Sequence, residues 1–283
     1  MRPVGTASQD GRIVAVPDLI YEKRDGIAYL TMNRPERRNA FSPELMVRLG
    51  EAWIDFRDDP ELRVAILTGA GDRAFSAGAD LERLIPLFSG ARAPEDDWDK
   101  RLMADFSLFQ AALLRGFELY KPVIAAINGF ALAGGAEIVQ ATDIRLATPH
   151  AQLGLSEVKR GLIPAGGSLV RLPRQIPYCK AMEILLIGDA LSAEEAHRIG
   201  LINEIVPADQ LMARAEEIAR KIAENGPLAV AKCKEAVLRG SGLPLEQAFE
   251  IEGGCARDVL TSQDAVEGPR AFMEKRKPRF TGR

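Results

Sequence analysis

The sequence predicts an α/β fold with largely parallel strands. Short apolar runs typical of buried strands alternate with segments of helical periodicity through about the first 190 of the 283 residues, and only helical patterns follow. Hydrophobic residues make up 47% of the chain and charged residues 27%, which is an ordinary globular composition with enough apolar side chains for a sizeable core. No linker rich in Gly, Ser or Pro separates the two parts, so we expect one folded unit.

Strands and one capped helix account for the first half of the chain. The helix is predicted behind Ser42, a favourable N-cap, with Pro43 at the first helical position. The runs between turn residues predict strands. These strand predictions are IAYLTM (27–32), RVAILTGA (63–70), PVIAAINGF (122–130) and DIRLAT (143–148).

The chain after about residue 190 predicts helices. Ser192 with Glu195 three positions later forms a capping-box signature, and amphipathic patterns cover ADQLMARAEEIARKIAEN, PLAVAKCKEAVLRG and PLEQAFEIEGGCARDVL. The N-terminal residues 1–19 contain acids and lack a long apolar core, so we expect a lead-in rather than a signal or transit peptide.

Composition argues against several classes of partner. A net charge of −3 disfavours a nucleic-acid surface, and no apolar run approaches the roughly 18 residues of a membrane span. The cysteines, at 179, 233 and 255, are far apart, which fits a reducing compartment, and we expect a cytoplasmic protein. His150 and His197 are isolated, so no metal site is expected.

Two glycine-rich junctions are candidates for chemistry. GFALAGGAEIVQATD (129–143) and GDRAFSAGADLERL (71–84) each predict a strand, a small-residue turn and a helix. The first N–H groups of a helix have no partner within the helix and carry the positive end of its dipole. One such turn is commonly a packing device, whereas two could direct two N–H groups at one oxygen, as in an oxyanion hole.

Two glutamates are candidates for proton transfer, for different reasons. Glu137 follows Gly134 by three positions, about one helical turn. Glu157 comes 20 residues later, an interval that carries no information alone, but its neighbours in LGLSEVKRGLIPAGG are mostly small and apolar. A carboxyl group in such surroundings can be desolvated and hold a proton near neutral pH, although a surface carboxylate is the commoner alternative.

Several ordered motifs resemble the crotonase superfamily, the enoyl-CoA hydratase/isomerase family. The segment from Pro122 to Pro173 resembles its signature region, AFSAGADL its other signature loop, RPERRNAFS its CoA-loop motif R-P-x-x-x-N-A, and GDALSAEEAHRIGLINEIVP its usual downstream segment. The resemblance runs from about Ile27 to the C-terminus. It is specific for the family and much less so for the substrate.

The resemblance implies a fold and an assembly. The expected fold is a spiral of ββα units over residues 20–200, followed by a helical trimerisation region over 201–283. Trimers or dimers of trimers are implied, with an acyl-CoA thioester as the substrate. No metal or other cofactor is expected, because CoA is part of the substrate.

The resemblance also implies roles for particular residues. The N–H groups of Ala79 and Gly134 would stabilise a thioester enolate. Ala77, Asp80 and Leu81 match the loop that contacts CoA, and Arg37 and Arg38 lie in the other CoA loop, where they either face phosphates or are simply solvated.

Because both family glutamates are matched, by Glu137 and Glu157, the predicted activity is that of an enoyl-CoA hydratase, a lyase of fatty-acid metabolism. An isomerase, which needs one carboxylate, a specialised hydroxyacyl-CoA dehydratase, and a non-catalytic RNA- or protein-binding member are the alternatives. The connection from Ala79 to Pro122 is longer than in the prototypical hydratase, and this region walls the acyl pocket in the family. The acyl class is therefore open.

Overall fold

The computed structural model describes residues 16–283 and, before them, two short paired strands, β1 (Thr6–Ala7) and β2 (Ile13–Val14). The lead-in predicted for residues 1–19 thus lies mostly outside the described residues. The later strands have the following bounds: β3 Leu19–Arg24, β4 Ile27–Met32, β5 Val64–Gly69, β6 Ala74–Ser76, β7 Val123–Ile127, β8 Phe130–Leu132, β9 Ile144–Ala147, β10 Gln152–Gly154, β11 Ala190–Ser192 and β12 Glu204–Ile205.

Helices follow the strands and fill the C-terminal third. Their bounds are α1 Pro43–Asp58, α2 Leu84–Phe88, α3 Asp97–Ala104, α4 Phe106–Ala112, α5 Gly134–Ala141, α6 Ser168–Gln175, α7 Tyr178–Ile187, α8 Ala193–Arg198, α9 Leu211–Ala223, α10 Pro227–Gly240, α11 Leu245–Leu260 and α12 Gln263–Met273. Two 3₁₀ turns lie at Pro35–Arg37 and Glu157–Arg160. As predicted, the Ser42 side chain caps α1, by accepting the N–H of Leu45, and that of Ser192 caps α8.

Apart from the β1/β2 pair, the strands form two sheets that the chain visits in turn. The large sheet has the order β12-β9-β7-β5-β4-β3, parallel except for the antiparallel pair β3/β4. The small sheet has the order β11-β10-β8-β6. From β5 onwards, a strand of the large sheet is followed three times by one of the small sheet and then by helices. This repetition is the predicted spiral of ββα units, and the α/β fold class is confirmed.

Both faces of the large sheet are covered, as its nearly continuous apolar strands require. On one face, Ile27, Tyr29 and Ile66 belong to an apolar cluster with Leu211 and Ala215 of α9. On the other, the alternate strand residues join the main core, which includes the fully buried Trp53 and Phe56 of α1. Helix α9 thus packs on the large sheet itself. The predicted division at residue 200 between the ββα core and the C-terminal helical region stays a prediction.

The prediction of helices alone after about residue 190 was wrong in detail, because β11 and β12 extend the two sheets there. Strands of two or three residues leave no period-2 pattern to recognise. Their positions are fixed by pairing with distant strands, β11 with β10 and β12 with β9.

Candidate active site

The Ala79 amide is directed by a single parallel β-bridge between Phe41 and Ala79. The Phe41 N–H donates to the Gly78 carbonyl (2.8 Å), and the Asp80 N–H donates to the Phe41 carbonyl (3.0 Å). These two bonds use the Gly78 carbonyl and the Asp80 N–H, the backbone groups before and after Ala79. In a parallel bridge the N–H of Ala79 itself therefore points away from Phe41. Among residues 16–283 no group accepts a hydrogen bond from that N–H. The expectation of a helix start here was wrong, since α2 begins only at Leu84.

Buried polar contacts hold this loop in place. The Asp80 carboxylate accepts the N–H groups of Glu82 and Arg83 and pairs with the Arg34 guanidinium (3.0 Å). Burial raises the pKa of Asp80, but these donors outweigh it and leave the pKa lowered. The Asp80 side chain therefore anchors the loop. The sequence indicated no role for Arg34, the first residue of the R-P-x-x-x-N-A motif. In the structure its guanidinium holds Asp80 in place.

Asn39, the asparagine of the same motif, also fixes these loops. It is fully buried and has a positive φ of 53°. Its amide nitrogen donates to the Ala70 and Ala74 carbonyls, and its oxygen accepts the Arg34 N–H. The side chain thus ties the 3₁₀ turn to β6. Sequence reasoning missed this function, although buried asparagine in a positive-φ turn is a recognisable pattern.

Gly134 begins α5, as the sequence predicted, directly after a strained residue. Ala133 has φ = 50° and ψ = −126°, and its N–H donates to the Gly154 carbonyl (2.8 Å). Within the described part of the chain, the Gly134 N–H has no acceptor, as is usual for a first helical residue.

The Ala79 and Gly134 amides lie on adjacent backbones. A Cβ atom on Gly78 would be 2.8 Å from the Gly134 nitrogen, and a Cβ on Gly134 would be 2.9 Å from the Phe41 ring. Both positions therefore exclude any side chain. The arrangement offers two neighbouring N–H donors to an approaching acceptor.

The Glu137 side chain is 4% exposed and lies on the turn before α6. Its Oε1 accepts the Ser168 N–H (3.2 Å), and a Cβ on Gly166 would be 2.6 Å from its Oε2. Burial raises the pKa of this carboxyl above its usual value, and the N–H groups of Ser168 and Gly166, the Ser168 side chain and the charge of Arg171 offset that effect only in part. Gly166, noted in the sequence only as part of a turn, is thus shaped to receive the carboxylate.

Glu157 begins the second 3₁₀ turn and is half-buried. Burial raises its pKa to about 7, the negative charge of Glu137 acts in the same direction, and a main-chain hydrogen bond and Arg160 oppose them. Its Oε2 is buried and has no hydrogen-bond partner within residues 16–283. Burial raises the pKa of both carboxyl groups, but two main-chain donors and Arg171 oppose it at Glu137, whereas at Glu157 one oxygen has no donor. The fold therefore brings the two carboxyl groups close enough for the charge of Glu137 to raise the pKa of Glu157.

The other residues predicted to contact CoA lie in the two loops formed by residues 34–42 and 77–81. The Ala77 N–H donates to the Arg38 carbonyl (2.9 Å), which joins the two loops. The side chains of Leu81 and Arg38 are exposed, and the exposed Arg37 pairs with Glu82 (3.1 Å). The backbone of these loops is thus joined, and both arginines face solvent.

The long connection after Ala79 folds into α2, α3 and α4. Phe88, Phe106 and Phe109 form an aromatic cluster in which Phe106 and Phe109 stack with ring centroids 5.0 Å apart. The fully buried Asp99 accepts hydrogen bonds from Arg92, which hold its pKa well below the usual range. The connection is therefore an ordered segment fixed by ion pairs. Helix α4 leads directly to Leu113, which a Cβ on Gly166 would contact at 2.8 Å.

Within residues 16–283 and the two short N-terminal strands, no group of three or more His, Cys, Asp or Glu side chains is placed to hold a metal ion. No helix in the same residues is long and apolar enough to cross a membrane.

Known proteins are similar to this chain in sequence and in fold. The family model described as Enoyl-CoA hydratase/isomerase matches residues 22–283. Enoyl-CoA hydratase EchA19 of Mycobacterium tuberculosis is 45% identical over 267 residues, 94% of this chain and 97% of that protein. Carnitinyl-CoA dehydratase of Salmonella typhi is 40% identical over 91% of this chain and 95% of its own length. A crystal structure of an enoyl-CoA hydratase from Bacillus anthracis superposes with a TM-score of 0.84 at 36% identity, covering 94% of this chain and all of that one.

Proposed function

The chain belongs to the enoyl-CoA hydratase/isomerase family, and from that premise we propose that it adds water reversibly to a trans-2-enoyl-CoA thioester to give a 3-hydroxyacyl-CoA. The observation that carries the proposal is the pair of neighbouring carboxyl groups, the buried Glu137 and the half-buried Glu157, in a fold whose Ala79 and Gly134 amides have no acceptor among residues 16–283. Burial raises the pKa of both carboxyl groups, but main-chain donors and Arg171 partly offset it at Glu137, whereas the pKa of Glu157 is raised to about 7. One carboxyl is thus suited to be a base and the other an acid at the same pH.

In the proposed mechanism the thioester oxygen accepts the N–H groups of Ala79 and Gly134. The Glu137 carboxylate takes a proton from water as the water oxygen bonds to Cβ, and the electrons of the double bond move onto the thioester as an enolate. The enolate collapses as the Glu157 carboxyl gives its proton to Cα. Water is thereby added across the double bond, with no metal or redox step, and dehydration reverses each transfer. Loss of one oxyanion donor typically costs about 100- to 1000-fold in rate.

Dehydration of a specialised 3-hydroxyacyl-CoA is a second candidate, favoured by the 40% identity to a carnitinyl-CoA dehydratase. It would use the same two glutamates in the reverse direction. Isomerisation needs a single carboxylate to move one proton, so the two carboxyl groups argue against it.

The test is hydration of a chain-length series of trans-2-enoyl-CoAs by wild type, Glu137→Gln and Glu157→Gln. Both variants should lose at least about 100-fold in kcat. Glu22→Gln, an exposed glutamate on β3, is the matched control and should retain wild-type activity. Wild-type protein that binds CoA thioesters but hydrates none of them would overturn the hydratase assignment, and a carnitine-type 3-hydroxyacyl-CoA would then be tested for dehydration.

We also propose that the chain forms a homotrimer or a dimer of trimers. Large apolar side chains of the last helices are exposed in the single chain, among them Phe249 (63%), Leu260 (74%) and Phe272 (85%). Exposed apolar surface of this kind marks interaction sites. Light scattering should give a mass of three or six times 30.8 kDa, and a monomer would contradict the proposal.

A further inference from the structure

Ser168 stands beside Glu137 with an unused hydroxyl. It is fully buried at the first position of α6, and among the described residues its Oγ has no hydrogen-bond partner. Buried polar side chains in native proteins are almost always hydrogen-bonded. Helix capping does not explain this serine, because the N-cap is Gly167 and no side chain caps α6.

The Glu137 carboxylate is the polar group that Ser168 already contacts. Its Oε1 accepts the Ser168 N–H at 3.2 Å, and the close approach of Oε2 to Gly166 holds the carboxylate against the same turn. The Ser168 side chain is near enough to favour the ionised form of Glu137. A rotation about the Cα–Cβ bond changes the direction of the hydroxyl and leaves the N–H contact in place.

Few other charges act on Glu137. Arg171, also on α6, favours the carboxylate, and its guanidinium donates to the carbonyls of Gly166 and Leu114. Glu157 is the neighbouring acid. The strands β6 and β8, which also pack on α5, carry no titratable side chains. A hydroxyl donor from Ser168 therefore adds to the few groups that oppose the effect of burial on the pKa of Glu137.

We propose that Ser168 is a positioning residue for Glu137: its hydroxyl donates to the ionised carboxylate alongside the main-chain N–H, fixes its orientation and lowers the pH at which it becomes a base. The inference rests on the proposed function only for the part that Glu137 plays in catalysis. The hydroxyl is separable from the N–H, because Ser168→Ala removes the first and keeps the second.

The first readout is the pH profile of kcat/KM for hydration. Glu137 must be ionised, so the rate rises with pH through its pKa on the acid limb. Losing a donor to the ionised form raises that pKa, and Ser168→Ala should move the acid limb upward by about one to two pH units with little change in KM. Ser168→Thr, which keeps the hydroxyl, should restore the wild-type midpoint. Ser168→Gly repeats the test if the alanine variant fails to fold.

The second readout does not need turnover. The carboxyl of Glu137 is titrated by ¹³C NMR with carboxyl-labelled glutamate, assigned by its absence in Glu137→Gln. An upward shift in Ser168→Ala supports the proposal even if no enoyl-CoA is hydrated, in which case the proposed function alone fails. An unchanged midpoint in Ser168→Ala and Ser168→Gly would overturn it, including when kcat falls, because a purely structural role lowers kcat without moving the titration.

Discussion

Replacement of Gly166 by alanine tests whether the Glu137 carboxylate must lie where the structure has it. The added Cβ would be 2.6 Å from Oε2, whereas ordinary contact begins at about 3.4 Å, so the oxygen must move by about 0.8 Å. Gly166 does not have a positive φ, and alanine is therefore compatible with its backbone. A misplacement of about 1 Å in a reacting group costs on the order of 100-fold in rate. We expect kcat to fall by about that factor, with KM nearly unchanged.

Stability should change much less than activity. The atoms that the new methyl group meets are the ends of two flexible side chains, Glu137 and Leu113, which can move aside at a cost of about 1–2 kcal/mol. Hydration is followed by the loss of enoyl-thioester absorbance, and folding by thermal unfolding.

Gly253→Ala on α11 is the control. Its Cβ would meet nothing closer than 3.6 Å, and alanine is the better helix former, so kcat should be unchanged and Tm equal or higher. A folded Gly166→Ala variant with kcat within about twofold of wild type would refute the reasoning, because the carboxylate position would then not limit the rate.

Three further predictions concern the same framework. In hydration Glu157 must be protonated, so kcat/KM should decline above about pH 7 as this carboxyl ionises; a rate that is flat to pH 9 would contradict its role as the acid. Asp80→Asn removes the charge paired with the partly buried Arg34 and should cost ~2 kcal/mol of stability and lower kcat, while the exposed Glu82→Gln should do neither. Arg145→Met removes the guanidinium that donates to the carbonyls of Gln140, Thr142 and Leu201, and Tm should fall by about 6–12 °C. An unchanged Tm would show that water replaces the guanidinium as the donor to these carbonyls.

The sequence by itself determined those elements whose signals are local. The strand at 27–32, the helix capped by Ser42 and the glycine-led start of α5 follow from periodicity and from contacts within four residues. The motif resemblance determined the family as well, and the family match covers residues 22–283. The two glutamates, by contrast, could be selected only through that resemblance.

The tertiary structure decided everything that depends on distant contacts. Ala79 is directed by a bridge to Phe41, and Gly78 meets Gly134, far along the chain. Ser168 contacts Glu137 across 31 residues. Such pairs leave no periodic pattern, because loop closure and sheet register, rather than local propensity, bring them together. The raised pKa of a carboxyl group is likewise a property of burial, which a sequence can suggest but only the packed fold creates.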